Sequence, residues 1–187
     1  LRAGPLAVLR CADIARELRI EALTQTLTKR LPALRGDEVT FIGSTFFRNG
    51  DTTPYLNHCA VKDECDKLPG TENSQIDCYG TEKAVLLAWT ELIQKEDPDI
   101  LIGYNIFGFD YSFMYARAQE LGCVRPFLEL SRNRGEVCLS KKWDRALGRM
   151  REGLQESKVF LASGEHQLSY PAIPGRLQID LYNVLRR

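Results

Sequence analysis

The stretch Asp97-Pro98-Asp99-Ile100-Leu101-Ile102-Gly103-Tyr104-Asn105-Ile106-Phe107-Gly108-Phe109-Asp110 constrains the fold more than any other part of the chain. Pro98 ends any helix before it, because it lacks an N–H and its ring clashes with the turn behind. Ile100, Leu101 and Ile102 form a short apolar run, the pattern of a strand buried on both faces. Gly103 to Gly108 is a turn rich in polar and aromatic residues, and Asp110 opens a new helical pattern. The strand's carboxyl end therefore carries an amide and a carboxylate, and in open α/β sheets ligands bind at that edge. A carboxylate there can hold a divalent cation. Asn105 beside it can hydrogen-bond a substrate oxygen, and a phenylalanine of the turn can stack on a base. Two plainer roles stand beside these: Asp110 as a helix N-cap, and Asn105 as a turn residue.

From Asp13 to about Leu31 the pattern is helical, with Ile14, Leu18, Ala22, Leu23 and Leu27 near one face, and Pro32 ends it. This helix is expected to pack on the domain surface. Gly36-Asp37 make a turn, and Val39 to Phe47 is rich in β-branched and aromatic residues, as a strand is. Arg48-Asn49-Gly50-Asp51 is a hairpin signal, so Pro54 to Val61 should return antiparallel. Lys62 to Gly80 reads as loop, with a short strand near Ile76. Thr81 to Lys95 is the clearest helix. Thr81 can cap it, Glu82 suits its positive end, and Val85, Leu86, Trp89, Leu92 and Ile93 form its core stripe. Tyr111 to Leu121 follows, with Met114, Ala118 and Leu121 inward and Gly122 at the C′ position. Ser131 to Ser169 has no clear period. Its basic residues, among them Arg132, Lys141, Lys142 and Arg145, either coat a solvated face or track a DNA backbone. Leu177 to Leu181 is a last strand, and Tyr182 begins a helix that Asp180 can cap. A leading hairpin followed by β/α alternation predicts an α/β domain with a mixed sheet flanked by helices.

Length suits one domain with a workable core. The formal net charge is zero, with 25 basic and 25 acidic residues, which leaves nucleic-acid binding to local patches. The six cysteines include no Cys-x-x-Cys pair. His58 beside Cys59 has no zinc-ligand spacing. Scattered free thiols suit a reducing compartment. No signal peptide or long apolar span is visible, which predicts a soluble intracellular protein. The start at Leu1 and the end at Arg187, inside a continuing element, read as a fragment of a longer chain.

Tyr104-Asn105-Ile106-Phe107-Gly108-Phe109-Asp110 resembles the second exonuclease motif, Asn-x-x-x-Phe-Asp, of the family B DNA polymerases. Asp97-Pro98-Asp99 and Arg117-Ala118-Gln119-Glu120-Leu121-Gly122 are similar to that family too. Gly175-Arg176-Leu177-Gln178-Ile179-Asp180-Leu181 looks like its Gly-Arg-x-Gln-x-Asp segment. Polymerases of large DNA viruses, including algal viruses, are the most similar group. The resemblance implies a ribonuclease-H-like exonuclease fold, incomplete at both ends, with residues 1–35 a helical insertion or linker and 36–187 part of the 3′→5′ proofreading domain. It implies a site with two Mg²⁺ or Mn²⁺ ions, Asp110 as catalytic metal ligand, and Asn105 and Phe109 as contacts to a single-stranded DNA 3′ end. The first family motif, Asp-x-Glu, does not occur in the chain; its place would lie upstream of Leu1, and the third motif and all polymerase motifs beyond Arg187. The whole protein would then be a DNA-directed DNA polymerase acting in replication on primer-template DNA, in the nucleus or at a viral replication site, with a processivity factor as partner. The isolated piece is expected to be inactive. The alternative from another class is a ribonuclease-H-like domain that only binds DNA.

Overall fold

The helix predicted from Thr81 is the element against which the largest part of the core packs. The computed structural model describes residues 15–32, 34–66, 69–70, 73–144, 148–161 and 164–185. In chain order the elements are α1 (Arg16–Arg30), β1 (Phe41–Phe46), β2 (Leu56–Lys62), β3 (Ser74–Tyr79), α2 (Glu82–Glu96), β4 (Ile100–Gly103), a π-helical turn (Ile106–Asp110) and α3 (Tyr111–Glu120). After them come α4 (Val124–Phe127), β5 (Ser140–Asp144), β6 (Arg149–Gly153), β7 (Gln155–Leu161), β8 (Gly164–Tyr170), β9 (Leu177–Asp180) and α5 (Leu181–Leu185). Thr81 caps α2 as expected, its Oγ1 accepting from the Ala84 N–H at 3.2 Å. The whole stripe of Val85, Leu86, Trp89, Leu92 and Ile93 is buried. It meets Ala118, Phe127, Leu128, Leu130, Cys123 and Cys138 in one apolar cluster. Thr90 Oγ1 donates to the Phe127 carbonyl at 2.8 Å and fixes α2 against α4.

The chain divides into two compact units between Arg35 and Gly36. In the first unit, α1 ends where Leu31 turns extended, as a residue preceding a proline is driven to do. Leu18, Ile20 and Leu27 are exposed on it. Asp13 and Ile14, expected at its start, lie outside the described residues.

In the second unit, β1 runs antiparallel to β2 and β2 parallel to β3, giving a mixed three-stranded sheet in the order β1-β2-β3. The expected β1–β2 hairpin forms, turning through Gly50 at φ +91°. The strand near Ile76 is longer than the reading of that region as loop allowed. Gln75 and Asp77 interrupt its apolar pattern, yet Asp77 is held by the His58 Nε2 at 3.0 Å and the Gln75 Nε2 at 2.8 Å. His58 is thereby engaged, and Cys59 points to the opposite face as strand alternation requires.

A second, parallel pair joins β4 to β9, from Ile100↔Leu177 to Gly103↔Asp180. Here the expectation of a strand buried on both faces fails. Among the described residues β4 pairs only with β9, and Ile100 and Ile102 are 45% and 58% exposed. Only Leu101 turns to the core; three apolar residues in a row need one buried face, not two.

Residues 140–170, which showed no period, form two antiparallel hairpins, β5–β6 and β7–β8. Their lysines face acidic partners: Lys142 reaches Glu156 at 3.1 Å, and Lys158 pairs with Glu165. Arg145 lies outside the described residues. No helix among the described residues is long and apolar enough to cross a membrane.

Glu82, read as a favourable charge at a helix start, does more. Its carboxylate is buried and accepts from Arg117 Nε and Nη2, both at 2.7 Å, and from the Val39 N–H at 2.9 Å. Arg117 Nη1 also reaches the Gly36 carbonyl at 2.8 Å and Glu120. The pair thus ties the start of α2, the middle of α3 and the segment leading into β1. The Arg117 hydrogen bonds hold the Glu82 carboxyl below its ordinary pKa. A depressed carboxyl stabilises the fold above the unfolded-state value, and that contribution is lost as pH falls through the folded value. Arg117→Ala should cost about 3–5 kcal/mol at neutral pH, because it strands a buried charge. Urea unfolding of both proteins at descending pH should show the gap closing below the ordinary carboxylate range.

Candidate active site

Two arginines set the strand pair that carries the site. Arg176, just before β9, is buried. Its Nε donates to the Leu130 carbonyl at 3.0 Å, and its Nη1 to Asp97 Oδ1 and the Pro98 carbonyl, both at 2.7 Å. Arg132 reaches the same corner, donating to Asp97 Oδ1 at 2.8 Å, Asp99 Oδ1 at 2.7 Å and the Gly175 carbonyl at 3.0 Å. Asp97 closes α2 in the left-handed region at φ +46°. Arg132 first, and Arg176 after it, hold its carboxyl below the usual range. Gly175 sits at φ +83° with its Cα against Arg132, where a Cβ would come within 3.0 Å. The segments 97–99 and 175–176, far apart in sequence, are one junction.

From that junction β4 and β9 run parallel, and their carboxyl ends carry the candidate site. Gly103 hands the chain to Asn105, which is left-handed at φ +60°. Asn105 then accepts at its carbonyl from Gly108 N–H and Phe109 N–H, at 3.1 and 3.0 Å. A Cβ on Gly108 would overlap the Asn105 side-chain oxygen, so the amide lies directly over that glycine. This makes Asn105 the turn residue that one of its two readings described.

The chain then winds one π-helical turn into α3, closed by the Tyr111 N–H on the Ile106 carbonyl. Such turns often mark functional sites. Here it displaces Asp110 from the capping position. Asp110 is helical at φ −59°, ψ −48°, and its side chain makes no cap hydrogen bond. The N-cap reading of Asp110 is therefore wrong, and the physical reason is that the helix has begun before it.

Asp110 and Phe109 instead line an open cleft of about 1470 Å³, bounded by β1 along its length, by β4, and by the first turn of α3. The Phe109 ring stacks on Phe113, 5.4 Å between centroids and 15° between planes, with Phe109 57% exposed. Asn105 is not among the lining residues. The Asp110 carboxyl reaches solvent, but the cleft walls strip enough water to raise its pKa, and the charge of Asp180 raises it further.

Sequence reasoning gave Asp180 too small a part. It does accept from the Tyr182 N–H at 3.0 Å, as a cap of α5. The same buried carboxylate also accepts from Asn105 N–H at 2.7 Å and Phe107 N–H at 2.9 Å. Nothing in the sequence links residues that far apart; only the parallel register, with Gly103 opposite Asp180, brings them together. Among the described residues, no group of three or more His, Cys, Asp or Glu is arranged to hold a metal ion. Asp110 could serve as one ligand of a set completed from elsewhere.

Since Asp110 makes no cap bond and its carboxyl is raised, neutralising it should not harm the fold. Asp110→Asn and Asp110→Ala should each unfold at the wild-type temperature or slightly above. A true cap would lose about 1 kcal/mol in the alanine variant, and thermal denaturation at neutral pH separates the two.

The sequence matches one family profile, described as "DNA polymerase family B, exonuclease domain", over residues 17–187. It is similar to a DNA polymerase of Phaeocystis pouchetii virus, 40% identical over 99% of this chain and 18% of the relative. A DNA polymerase of Pyramimonas orientalis virus is 36% identical over 90% of this chain and 13% of its own length. The DNA polymerase delta catalytic subunit of Schizosaccharomyces pombe is 30% identical over 81% of this chain and 12% of its own length. The chain thus spans less than a fifth of the length of each of these relatives.

Proposed function

The chain belongs to the exonuclease-domain family of the family B DNA polymerases, and from that premise we propose that it is part of a replicative DNA polymerase and contributes to 3′→5′ excision of single-stranded DNA ends. The observation that carries this reading is the Asp110 carboxylate. It faces a cleft beside a stacked aromatic pair, and it neither caps a helix nor pairs with a basic side chain among the described residues.

The parts then have these roles. Phe109, backed by Phe113, offers a face on which a terminal base stacks. Asn105 hydrogen-bonds the 3′-terminal nucleotide. Asp110 holds Mg²⁺ or Mn²⁺, for which an unpaired hard oxygen ligand at raised pKa is suited. Bound divalent cations supply an activated water and neutralise charge building on phosphorus. Asp110 alone would hold such ions weakly, so the site calls for further carboxylate ligands beside it.

The sheet supports the finer fold reading. β1 ends the mixed sheet on one side of the cleft, and β4 ends the parallel pair on the other. Among the described residues each presents an unpaired strand edge, which readily accepts another strand. A strand seated between them would unite the two pieces into one ribonuclease-H-like sheet. Carrying Asp-x-Glu, it would put the missing carboxylates opposite Asp110.

Asp110→Asn in the full-length polymerase tests the role of the site. It should fold, extend primers, and fail to remove a mismatched 3′ end in the presence of Mg²⁺. An excision rate near wild type would sink the reading. A protein that binds single-stranded DNA but excises nothing even in its wild-type form would favour the alternative, a domain that only binds. The isolated chain should release no 5′-mononucleotides from labelled single-stranded DNA with either metal.

A further inference from the structure

We infer that Asp180 is a positioning residue for the excision site: its buried carboxylate clamps the 105–107 backbone and so aims Asn105, Phe109 and Asp110. The inference rests on the excision reading above and adds a residue to it.

Asp180 is 3% exposed, yet no basic side chain pairs with it among the described residues. Three backbone N–H groups take that place, two from the loop at the end of β4 and one from α5. The division of labour is specific. Oδ1 accepts from Asn105 N–H at 2.7 Å and Tyr182 N–H at 3.0 Å, while Oδ2 accepts from Phe107 N–H at 2.9 Å. Capping α5 needs only the Tyr182 contact. The other two reach back to a left-handed asparagine and to the π-helical turn, neither of which is a low-energy conformation. Hydrogen bonds to an ionised acceptor are about twice as strong as neutral ones, which suits a clamp on strained backbone. The turn is braced on its far side by the Phe107 ring against Tyr170, 4.7 Å between centroids. Residues 105 and 107 are therefore held at both amides, and Phe109 and Asp110 follow within the same turn.

Asp180→Asn is the discriminating variant because it keeps shape and size. An amide retains one acceptor oxygen for Asn105 and Tyr182, but it turns an N–H₂ group toward the Phe107 N–H, donor against donor. The cap survives and the clamp opens at one point. In the full-length polymerase we expect three results. The unfolding temperature changes little. Affinity for a short single-stranded oligonucleotide, measured in EDTA so that no metal takes part, falls about tenfold. The kcat/KM for excision falls about 10- to 100-fold, the range for loss of a partner that orients a ligand. A purely structural role lowers the unfolding temperature and leaves oligonucleotide affinity alone at temperatures far below it; that result overturns the proposal.

Amide exchange on the wild-type protein gives a second measurement should the variant fail to fold. The Asn105 and Phe107 N–H groups should be protected, and more so with oligonucleotide bound. Exchange at unprotected rates overturns the clamp. Asp110→Asn, run in parallel, keeps the two readings apart. If it still excises, the excision reading fails, whereas the clamp is judged on affinity in EDTA and on amide exchange.

Discussion

The corner at Arg176 is the constraint on which the site depends. A guanidinium buried at the start of β9 ties the Leu130 carbonyl, the Asp97 carboxylate and the Pro98 carbonyl into one point. Arg132 binds the same carboxylate from outside. Arg176 is the buried partner and Asp97 the exposed one, so removing Asp97 would leave a buried guanidinium short of compensation. The consequence reaches further than stability. With the amino ends of β4 and β9 fixed together, their register is set, and three residues on, Gly103 must stand opposite Asp180. The clamp on Asn105 and Phe107 is thus a downstream result of an arginine at the other end of the strand.

Three of the sequence segments that carried the family resemblance are therefore contact surfaces of one another. Asp97-Pro98-Asp99 meets Gly175-Arg176 at the corner, and Asn105 to Phe107 meets Asp180 at the carboxyl end. Arg117, from the fourth segment, reaches instead to Glu82 at the start of α2. The short apolar run of β4 lies between these charged fixtures. It can do with one buried face because polar contacts at both ends hold it in place.

What the sequence made legible was what depends on neighbours in sequence. The α2 stripe, its Thr81 cap and the β1–β2 hairpin follow from local period and turn chemistry, and all three stand. The failures share another origin. β4 appeared doubly buried because an apolar run of three cannot tell whether one face or both is covered. β3 and the two hairpins of residues 140–170 hide because polar residues interrupt their periods, and contacts between elements, such as Lys142 on β5 with Glu156 on β7, compensate for this only in three dimensions. Asp110 looked like a cap because a carboxylate before a helical pattern usually is one; a π-helical turn shifts the helix start by a turn and leaves no local mark.

The two carboxylates near the site are compensated unequally. Asp110 and Asp180 feel one another, since Asp180 contributes to the raised pKa of Asp110. Bringing two carboxylates together opposes folding unless each is compensated. Asp180 has that compensation in three amide N–H groups. Asp110 has only its own backbone N–H acting in the same sense. The unmet negative charge thus collects on the carboxylate that faces the cleft, not on the one that is buried. A fold that needed Asp110 only as a surface residue would gain by replacing it with an uncharged one. In the proposed excision role, a divalent cation beside Asp110 would supply the positive charge that the carboxylate lacks among the described residues.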